Sequence, residues 1–373
     1  MNGNLRIGSL FGIPFYLNPS WFLILGLVTL TYGQGLAAQF PSLPPALPWL
    51  LGLITALLLF ASVLAHELGH SAVAIRQGIG VQSITLFLFG GLASLEKESR
   101  TPAEAFWVAL AGPLVSLGLF GLITLTGVSL GVTGPVAAIL GVLASVNLAL
   151  ALFNLIPGLP LDGGNILKAA VWKLTGNPYR GTVFASRVGQ LFGVIAIVSG
   201  LLPLVLLGST ANFWNILIGW FLLQNAGQAA QYATVQDKLT GLTAADAVDS
   251  DTPVVLATLS LRDFADQQIL AAGKWRKFLV TTQAGQLLGM VSLDDLSTVA
   301  VDRWTETSVQ ALTRPIAQTV QGDEPLLEVV KLLEQNRLAA LPVVSKDGTL
   351  IGLLEKALIP QRLQQLRIAS KPA

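Results

Sequence analysis

Long apolar stretches separated by short connections make up most of the first two thirds of the chain. Six such stretches cover residues 21–38, 49–75, 103–126, 136–155, 188–207 and 211–229. A helix of about 20 apolar residues is long enough to cross the hydrocarbon core of a bilayer. The connection at 41–48 is rich in proline and cannot continue a helix. The pattern therefore predicts six transmembrane helices.

Two pairs of short strands interrupt this helical pattern. The first pair is predicted at residues 6–10 and 13–17, around Gly12, and the second at 81–88 and 92–95, around Gly90 and Gly91. Open strand edges are not tolerated against lipid. We therefore expect the second pair, which follows the second apolar stretch, to be buried in protein or to line a water-filled cavity.

Charged residues are distributed very unevenly along the chain. Of the 43 lysine, arginine, aspartate and glutamate residues, 30 lie at or after Asp237. Hydrophobic residues make up 53% of the chain and charged residues 12%, which is typical of a membrane protein with a soluble part. We predict a polytopic α-helical membrane domain with a membrane-associated β hairpin at residues 1–236 and a soluble α/β domain at 237–373.

Composition also limits the partners and the metal ligands. The formal net charge is +1, and no basic tract with interleaved aromatic residues occurs, so nucleic acid is not an expected partner. The chain contains no cysteine. It can therefore form neither a disulfide nor a thiolate metal site.

Lysine and arginine residues predict the orientation in the membrane. If all six stretches span the bilayer, the basic residues of the first domain fall on one side: Arg6, Arg76, Lys97, Arg100, Lys168, Lys173, Arg180 and Arg187. The connections on the other side have none. Because basic residues favour the cytoplasmic side, both termini are expected in the cytoplasm.

The second apolar stretch contains an HExxH motif formed by His66, Glu67 and His70. Histidines four positions apart lie on one helix face, so both rings can reach one metal ion, and Glu67 could take a proton from a metal-bound water. In a soluble helix such a motif often arises by chance. Here these three are the only ionisable side chains of residues 49–75, where burial in hydrocarbon is costly. We interpret the motif as a metal site.

A catalytic zinc ion usually has three protein ligands, so two histidines leave one missing. The chain has no other histidine, and the third ligand must be a carboxylate. Glu96, Glu98 and Glu104 lie in a charged loop, where solvated carboxylates are ordinary. Asp162 stands alone in a turn rich in proline and glycine, which favours metal ligation, although it could instead cap the following helix.

Three motifs occur in order within the apolar stretches: HELGH at 66–70, Ala-Gly-Pro at 111–113 and N-x-x-P-x-x-x-L-D-G at 154–163. Together they resemble the site-2 protease family of intramembrane zinc metalloproteases, over about residues 5–230. The resemblance implies that His66, His70 and Asp162 bind one Zn²⁺ per chain and that Glu67 is the catalytic base. It implies that Asn154 holds the substrate backbone or the developing oxyanion; an interhelical hydrogen bond is the alternative.

The resemblance also implies a substrate class. Such enzymes hydrolyse peptide bonds within or near transmembrane segments of membrane proteins, for example membrane-tethered regulators, in regulated intramembrane proteolysis. The hairpin around Gly90 and Gly91 is implied to pair with an unwound substrate segment. The active site is then expected within the membrane, near its cytoplasmic side.

The soluble part contains an internal repeat with an offset of 63 residues, seen where residues 278–281 match 341–344. Each copy is predicted as helix, strand, turn, strand, helix. The repeat resembles a tandem pair of cystathionine-β-synthase-type (CBS) domains at about 240–300 and 308–367, a type that often binds adenine nucleotides. Ser292 and Asp295 match the phosphate- and ribose-contacting positions, whereas Glu355 and Leu358 depart from them in the second copy. The alternative is a structural pair or one that forms a homodimer.

Two other functions compete with a protease. CBS pairs also occur on membrane transporters, and the HExxH site could belong to a metal-binding pseudoprotease. Transporters tend to have repeated halves with interrupted helices, and residues 1–236 show no such repeat. Glu67 would have no obvious role in a pure binding site. Residues 77–153 leave no room for a PDZ-type insertion, so the CBS pair is the candidate regulator.

Overall fold

The computed structural model describes residues 4–362 apart from 11, 88–89, 209, 211, 250–251, 271–274 and 360. The chain divides into two compact units, Met1–Thr234 and Val235–Ala373. The first contains the apolar helices and one β-sheet. The second contains two small sheets.

The described helices that begin in the first unit are α1 (Ser20–Gln39), α2 (Leu47–Arg76), α3 (Pro102–Ser129), α4 (Gly134–Asn154), α5 (Asp162–Thr175), α6 (Pro178–Leu207) and α7 (Phe213–Leu239). Helices α1, α2, α3, α4 and α6 are long and apolar enough to cross a membrane. Five of the six expected spans are thus confirmed. Helix α7 forms at the sixth but is not one of these five, because polar residues such as Gln224 and Asn225 lower its hydropathy. Its crossing stays a prediction.

Capping residues explain where α3 and α6 begin and where α5 ends. Thr101 Oγ1 accepts a hydrogen bond from the Glu104 backbone N–H, 3.2 Å away, at the start of α3. Asn177 Oδ1 accepts one from the Tyr179 N–H, 2.8 Å away, at the start of α6. Helix α5 ends at Gly176, whose φ of 70° is left-handed and favours glycine. Helices α5 and α6 are therefore separated by a tight turn.

Both predicted strand pairs form, and they join into one four-stranded sheet. Its strands are β1 (Leu5–Leu10), β2 (Ile13–Leu17), β3 (Val81–Phe87) and β4 (Gly90–Leu95), in the spatial order β1-β2-β3-β4. The two hairpins are antiparallel, and β2 pairs with β3 in parallel. Strand β4 is consequently an edge strand.

The inner face of this sheet packs on the helix that carries the HExxH motif. Phe15 and Ile84 belong to a buried cluster against which Phe60, Val63 and Leu68 of α2 pack. Burial of this apolar surface holds the sheet against α2. It places β4 next to the motif.

Helix α3 lies at the centre of the first unit and packs against α2, α4 and α5. A Cβ at Gly69 would lie 2.8 Å from Val115 Cγ2 and 3.0 Å from the Ala111 carbonyl oxygen. Only glycine permits this approach of α2 to α3. The same holds where Gly158 meets Gly189 of α6, with 2.6 Å from the added Cβ to the Gly189 Cα. These contacts fix the turn before Asp162 against the bundle.

The second unit repeats one βαββ motif. The first copy contains β5 (Val254–Leu256), α8 (Leu261–Leu270), β6 (Lys277–Thr281) and β7 (Leu287–Ser292), and the second β8 (Val320–Gln321), α9 (Leu326–Gln335), β9 (Ala340–Val344) and β10 (Leu350–Glu355). Strands β6 and β9 differ by 63 positions at both ends, as do β7 and β10. The repeat is thus confirmed. The short parallel strands β5 and β8 were not predicted, and the helix after β7 is a 3-10 helix, Leu293–Thr298.

Candidate metal centre

Helix α2 presents His66 and His70 one turn apart, with 3.3 Å between their Nε2 atoms. His66 is 3% exposed and Glu67 is 9% exposed. Such burial of ionisable groups in an apolar helix is rare without a functional role.

The turn after α4 brings Asp162 to these histidines. Asp162 Oδ2 lies 3.2 Å from His66 Nε2 and 3.3 Å from His70 Nε2. A Cβ at Gly164 would clash with the backbone of Gly158, so a glycine is needed for the chain to turn this tightly. Asp162 begins α5, whose N-cap position is Leu161. Its carboxylate contacts the two histidines and does not occupy the N-cap position of α5.

The three ligand atoms form a nearly equilateral triangle. They are the one such group of histidine and carboxylate side chains found among the described residues. Ligands about 2.0 Å from a tetrahedral zinc ion are about 3.3 Å from each other, because the tetrahedron edge is about 1.63 times the bond length. The sides of 3.2 to 3.3 Å match one face of such a tetrahedron. The donor set therefore fits Zn²⁺ and leaves a fourth position open.

Helix α3 orients both histidine rings through contacts with their Nδ1 atoms. His70 Nδ1 lies 2.6 Å from the Val108 carbonyl oxygen, and His66 Nδ1 lies 2.9 Å from Ser116 Oγ. A carbonyl oxygen only accepts, so His70 carries its proton on Nδ1 and its Nε2 lone pair is free for a metal ion. Ser116 can stabilise the same tautomer of His66. Neither contact was predicted from the sequence, although Ser116 is a rare polar residue in the apolar helix.

Gly112 keeps the space beside the ligand nitrogens open. A Cβ added there would overlap His70 Nε2 and lie 2.7 Å from His66 Nε2. Any larger residue would therefore occupy the side of the imidazoles on which a metal ion binds. The Ala-Gly-Pro motif thus has a direct steric role.

The edge strand β4 contacts Glu67. A Cβ at Gly91 would lie 2.8 Å from Glu67 Cδ, so a larger residue there would displace the Glu67 carboxylate. Strand β4 therefore lies directly against the Glu67 side chain.

A cavity of about 370 Å³ opens onto these groups. Its lining includes Gly90, Gly91 and Asn154 together with the residues of the triangle. Asn154 Nδ2 donates to the Leu150 carbonyl oxygen of its own helix, at 3.0 Å. No interhelical hydrogen bond of Asn154 is found among the described residues, and its role stays a prediction. Asn147 forms an interhelical bond instead, and donates to Ser62 Oγ at 3.1 Å.

The competing carboxylates lie outside the triangle. Glu104 Oε2 accepts a hydrogen bond from the Arg100 backbone N–H at 2.8 Å. Glu96 and Glu98 are exposed. Glu98 lines the cavity but is not part of the group formed by His66, His70 and Asp162.

In the second unit, Ser292 and Asp295 form a capping box around the 3-10 helix. Asp295 Oδ2 accepts from the Ser292 backbone N–H at 3.0 Å, and Asp295 Oδ1 pairs with the Arg314 guanidinium at 2.5 Å. The two residues predicted to contact a nucleotide thus already have protein partners. Their role in nucleotide binding stays a prediction.

Known proteins with similar sequences match most of the chain. Peptidase family M50 matches residues 54–133 and 120–196, and the CBS domain matches 309–357. A protein of Synechocystis sp. named zinc metalloprotease sll0528 is 56% identical over 366 residues, which are 98% of this chain and 96% of the relative. One of Mycobacterium tuberculosis named zinc metalloprotease Rip3 is 32% identical over 99% of this chain and 95% of its own. The solved site-2 protease from Methanocaldococcus jannaschii is 30% identical, over 61% of this chain and 95% of its own, with a TM-score of 0.43.

Proposed function

The chain belongs to peptidase family M50 and is an intramembrane zinc metalloprotease of the site-2 protease family, and on this premise we propose that His66, His70 and Asp162 bind its zinc ion while Glu67 is the general base. One observation carries the proposal. The three ligand atoms form a triangle with the edge lengths of a tetrahedral zinc site, and Glu67 is buried next to it. A pseudoprotease would not need this base.

The chemistry divides between the metal ion and the chain's own groups. Zinc bound there would polarise the scissile carbonyl and lower the pKa of its bound water toward about 7. Glu67 accepts the proton of the attacking water and donates it to the leaving amine. The contacts of Val108 and Ser116 keep both imidazoles in the ligating tautomer while this proton moves.

The β4 edge and Asn154 hold the substrate in our proposal. A transmembrane helix shields its peptide bonds through its own hydrogen bonds, so the substrate segment must unwind. Edge strand β4 can pair with such a segment because its outer backbone groups have no strand neighbour. The Asn154 side chain lines the same cavity, where it can hydrogen-bond the substrate backbone or the developing oxyanion.

Replacement of the base tests the proposal. We expect Glu67→Gln to retain one zinc ion per chain and to lose at least about 100-fold in cleavage rate, because the ligands remain and the proton acceptor does not. Metal analysis of the purified full chain and cleavage of a single-span reporter measure the two effects. Glu96→Gln, at an exposed carboxylate outside the cavity, is the matched control. Near-normal cleavage by the Glu67→Gln variant would contradict the assignment.

We also propose that both termini are cytoplasmic and that the site opens toward the cytoplasm. The basic residues of the connections support this orientation. Reporter fusions near residues 43 and 131 should report the outside, and fusions near 98 and 178 the inside. A reversed pair would overturn the topology.

A second proposal is that the CBS pair binds an adenine nucleotide. A cavity of about 470 Å³ lies within this unit, and both copies contribute corresponding residues, Phe278 with Leu341 and Met290 with Leu353. Asp295 does not line this cavity and pairs with Arg314, so its contact with a ribose there would require the first copy to rearrange. Calorimetry of full-length Glu67→Gln protein with AMP, ADP and ATP tests this, with Asp295→Ala expected to weaken binding. If none binds at millimolar concentration, a structural or homodimerising role is left.

A further inference from the structure

Helix α5 extends from the proposed zinc ligand along the wall of the cavity. Asn165, Lys168 and Trp172 follow Asp162 by three, six and ten positions, and all four line the cavity. This spacing places them on one face of the helix. The face is polar, although α5 is packed between α3 and α6.

Lys168 is the basic residue of this face. Its side chain is half-buried, and no hydrogen bond or ion pair of its ammonium group is found within the described residues. A lysine that lines a cavity with its stem half-buried and with no protein acceptor needs water or a ligand to satisfy its ammonium group. Lys173, on the same helix, is exposed and does not line the cavity. The two lysines therefore have different surroundings although they are five positions apart.

Helix geometry gives the spacing of Lys168 from Asp162 along the axis of α5. Six residues of α-helix rise about 9 Å, which is the axial distance from Asp162 to Lys168. An extended peptide covers about 3.3 Å per residue. A substrate strand that lies between α5 and β4 would thus bring its third residue from the scissile bond to Lys168.

We propose that Asn165, Lys168 and Trp172 form a substrate subsite for an acidic side chain about three residues from the scissile bond, on its cytoplasmic side. This inference rests on the proposed function, because it needs the scissile bond at the triangle. The ammonium binds the carboxylate, and the Asn165 amide and the Trp172 indole N–H supply further donors. Glu98, exposed elsewhere on the cavity lining, disfavours an acidic side chain on its own side.

A set of reporter substrates that differ at one residue tests the subsite. Each single-span reporter carries Asp, Asn or Lys at one of positions two to five from the cleavage site, toward the cytoplasm. Full-length wild type, Lys168→Glu and the matched control Lys173→Glu are assayed in phosphatidylcholine vesicles. The assay is repeated in vesicles that also contain phosphatidylglycerol.

We expect wild type to cleave the Asp reporter about tenfold better than the Lys reporter at one position near the third, as kcat/KM and mainly through KM. Lys168→Glu should reverse this preference, and Lys173→Glu should keep it. Equal cleavage of all three reporters at every position overturns the subsite alone. So does an effect of Lys168→Glu that is the same for all reporters and appears only with phosphatidylglycerol, which assigns the lysine to lipid headgroups. If wild type cleaves no reporter, the Asn reporters included, and thus behaves like Glu67→Gln, both the subsite and the proposed function are overturned.

Discussion

The two units treat polar side chains in opposite ways. Among the described residues, nine buried polar or charged side chains lie in the first unit, including His66 and Glu67, and two lie in the second, Gln236 and Thr281. The ion pairs of the second unit are mostly exposed, such as Arg276 with Asp294, where the side chains are 76% and 70% exposed. Fully buried ionisable side chains thus occur at the proposed catalytic groups of the first unit, whereas the fully buried polar side chains found among the described residues of the second unit are uncharged.

Two aspartates from motifs of similar appearance differ in their partners and not in their burial, since the Asp162 side chain is 17% exposed and the Asp295 side chain is 13% exposed. Asp162 contacts two imidazoles in a protein interior, where an unpaired carboxylate would be unstable. Asp295 is held by a capping box and an arginine that is itself 72% exposed. An aspartate that a capping box and an arginine already satisfy therefore gives a weaker prediction of function than one that faces two imidazoles.

The largest expected difference between the units comes from the same substitution in both. Asp162→Asn should lower zinc affinity by more than about 100-fold and abolish cleavage, because a neutral amide is a poor zinc ligand. Asp295→Asn should leave zinc content unchanged and cleavage without nucleotide within about twofold. Zinc titration and reporter cleavage of the full-length variants measure both. Unchanged zinc affinity in Asp162→Asn would remove Asp162 from the ligand set.

Gly112 in the central helix α3 tests whether space beside the two histidines is needed for zinc binding. Gly112→Ala should lose zinc and activity, because the added methyl group occupies the space beside both Nε2 atoms. Gly118→Ala is the matched control on α3, since a Cβ there meets nothing within 4 Å. That control should bind zinc normally. Full zinc occupancy in Gly112→Ala would show that α3 does not limit the metal position.

The serine behind His66 should have a smaller effect. Ser116→Ala removes the hydrogen-bond partner of His66 Nδ1, and such partners are typically worth about 10- to 100-fold in metal affinity or activity. Ser129→Ala, exposed at the end of the same helix, serves as the comparison. Competition with a zinc chelator compares the affinities. Equal affinity in the two variants would reduce Ser116 to a packing residue.

The smallest effect is expected in the second unit. Arg276→Met breaks the exposed pair with Asp294 and should change the free energy of unfolding of this unit by less than about 1 kcal/mol. Hydrogen exchange of the full chain, read on peptides around β6 and β7, measures the local change. A loss of protection throughout the unit would show that its exposed ion pairs contribute more than about 1 kcal/mol to the free energy of unfolding.

The proposed zinc ligands could be predicted because the first unit has few ionisable residues. With only two histidines and one isolated aspartate, the sequence leaves little choice. The orienting contacts of Ser116 and Val108 could not be predicted, since they depend on which turn of α3 faces α2. The steric role of Gly112 has the same origin.

The fold was predictable to a similar extent. Apolar length predicted six spans, of which five are confirmed, and strand-forming residues on either side of glycines predicted both hairpins. The parallel pairing of Phe15 with Ile84 was missed, because the two residues are far apart in the chain and neither hairpin requires the other. The polar residues of α7 lower its hydropathy, so apolar length alone does not predict whether this helix crosses the membrane.

Zinc-edge X-ray absorption of full-length Glu67→Gln protein tests the central claim most directly. The account predicts one zinc ion per chain in a four-coordinate shell of nitrogen and oxygen about 2.0 Å away, with the multiple scattering of two imidazoles. Asp162→Asn should disturb this shell. A protein without stoichiometric zinc, or a six-coordinate shell of oxygen alone, would contradict the assignment of His66, His70 and Asp162.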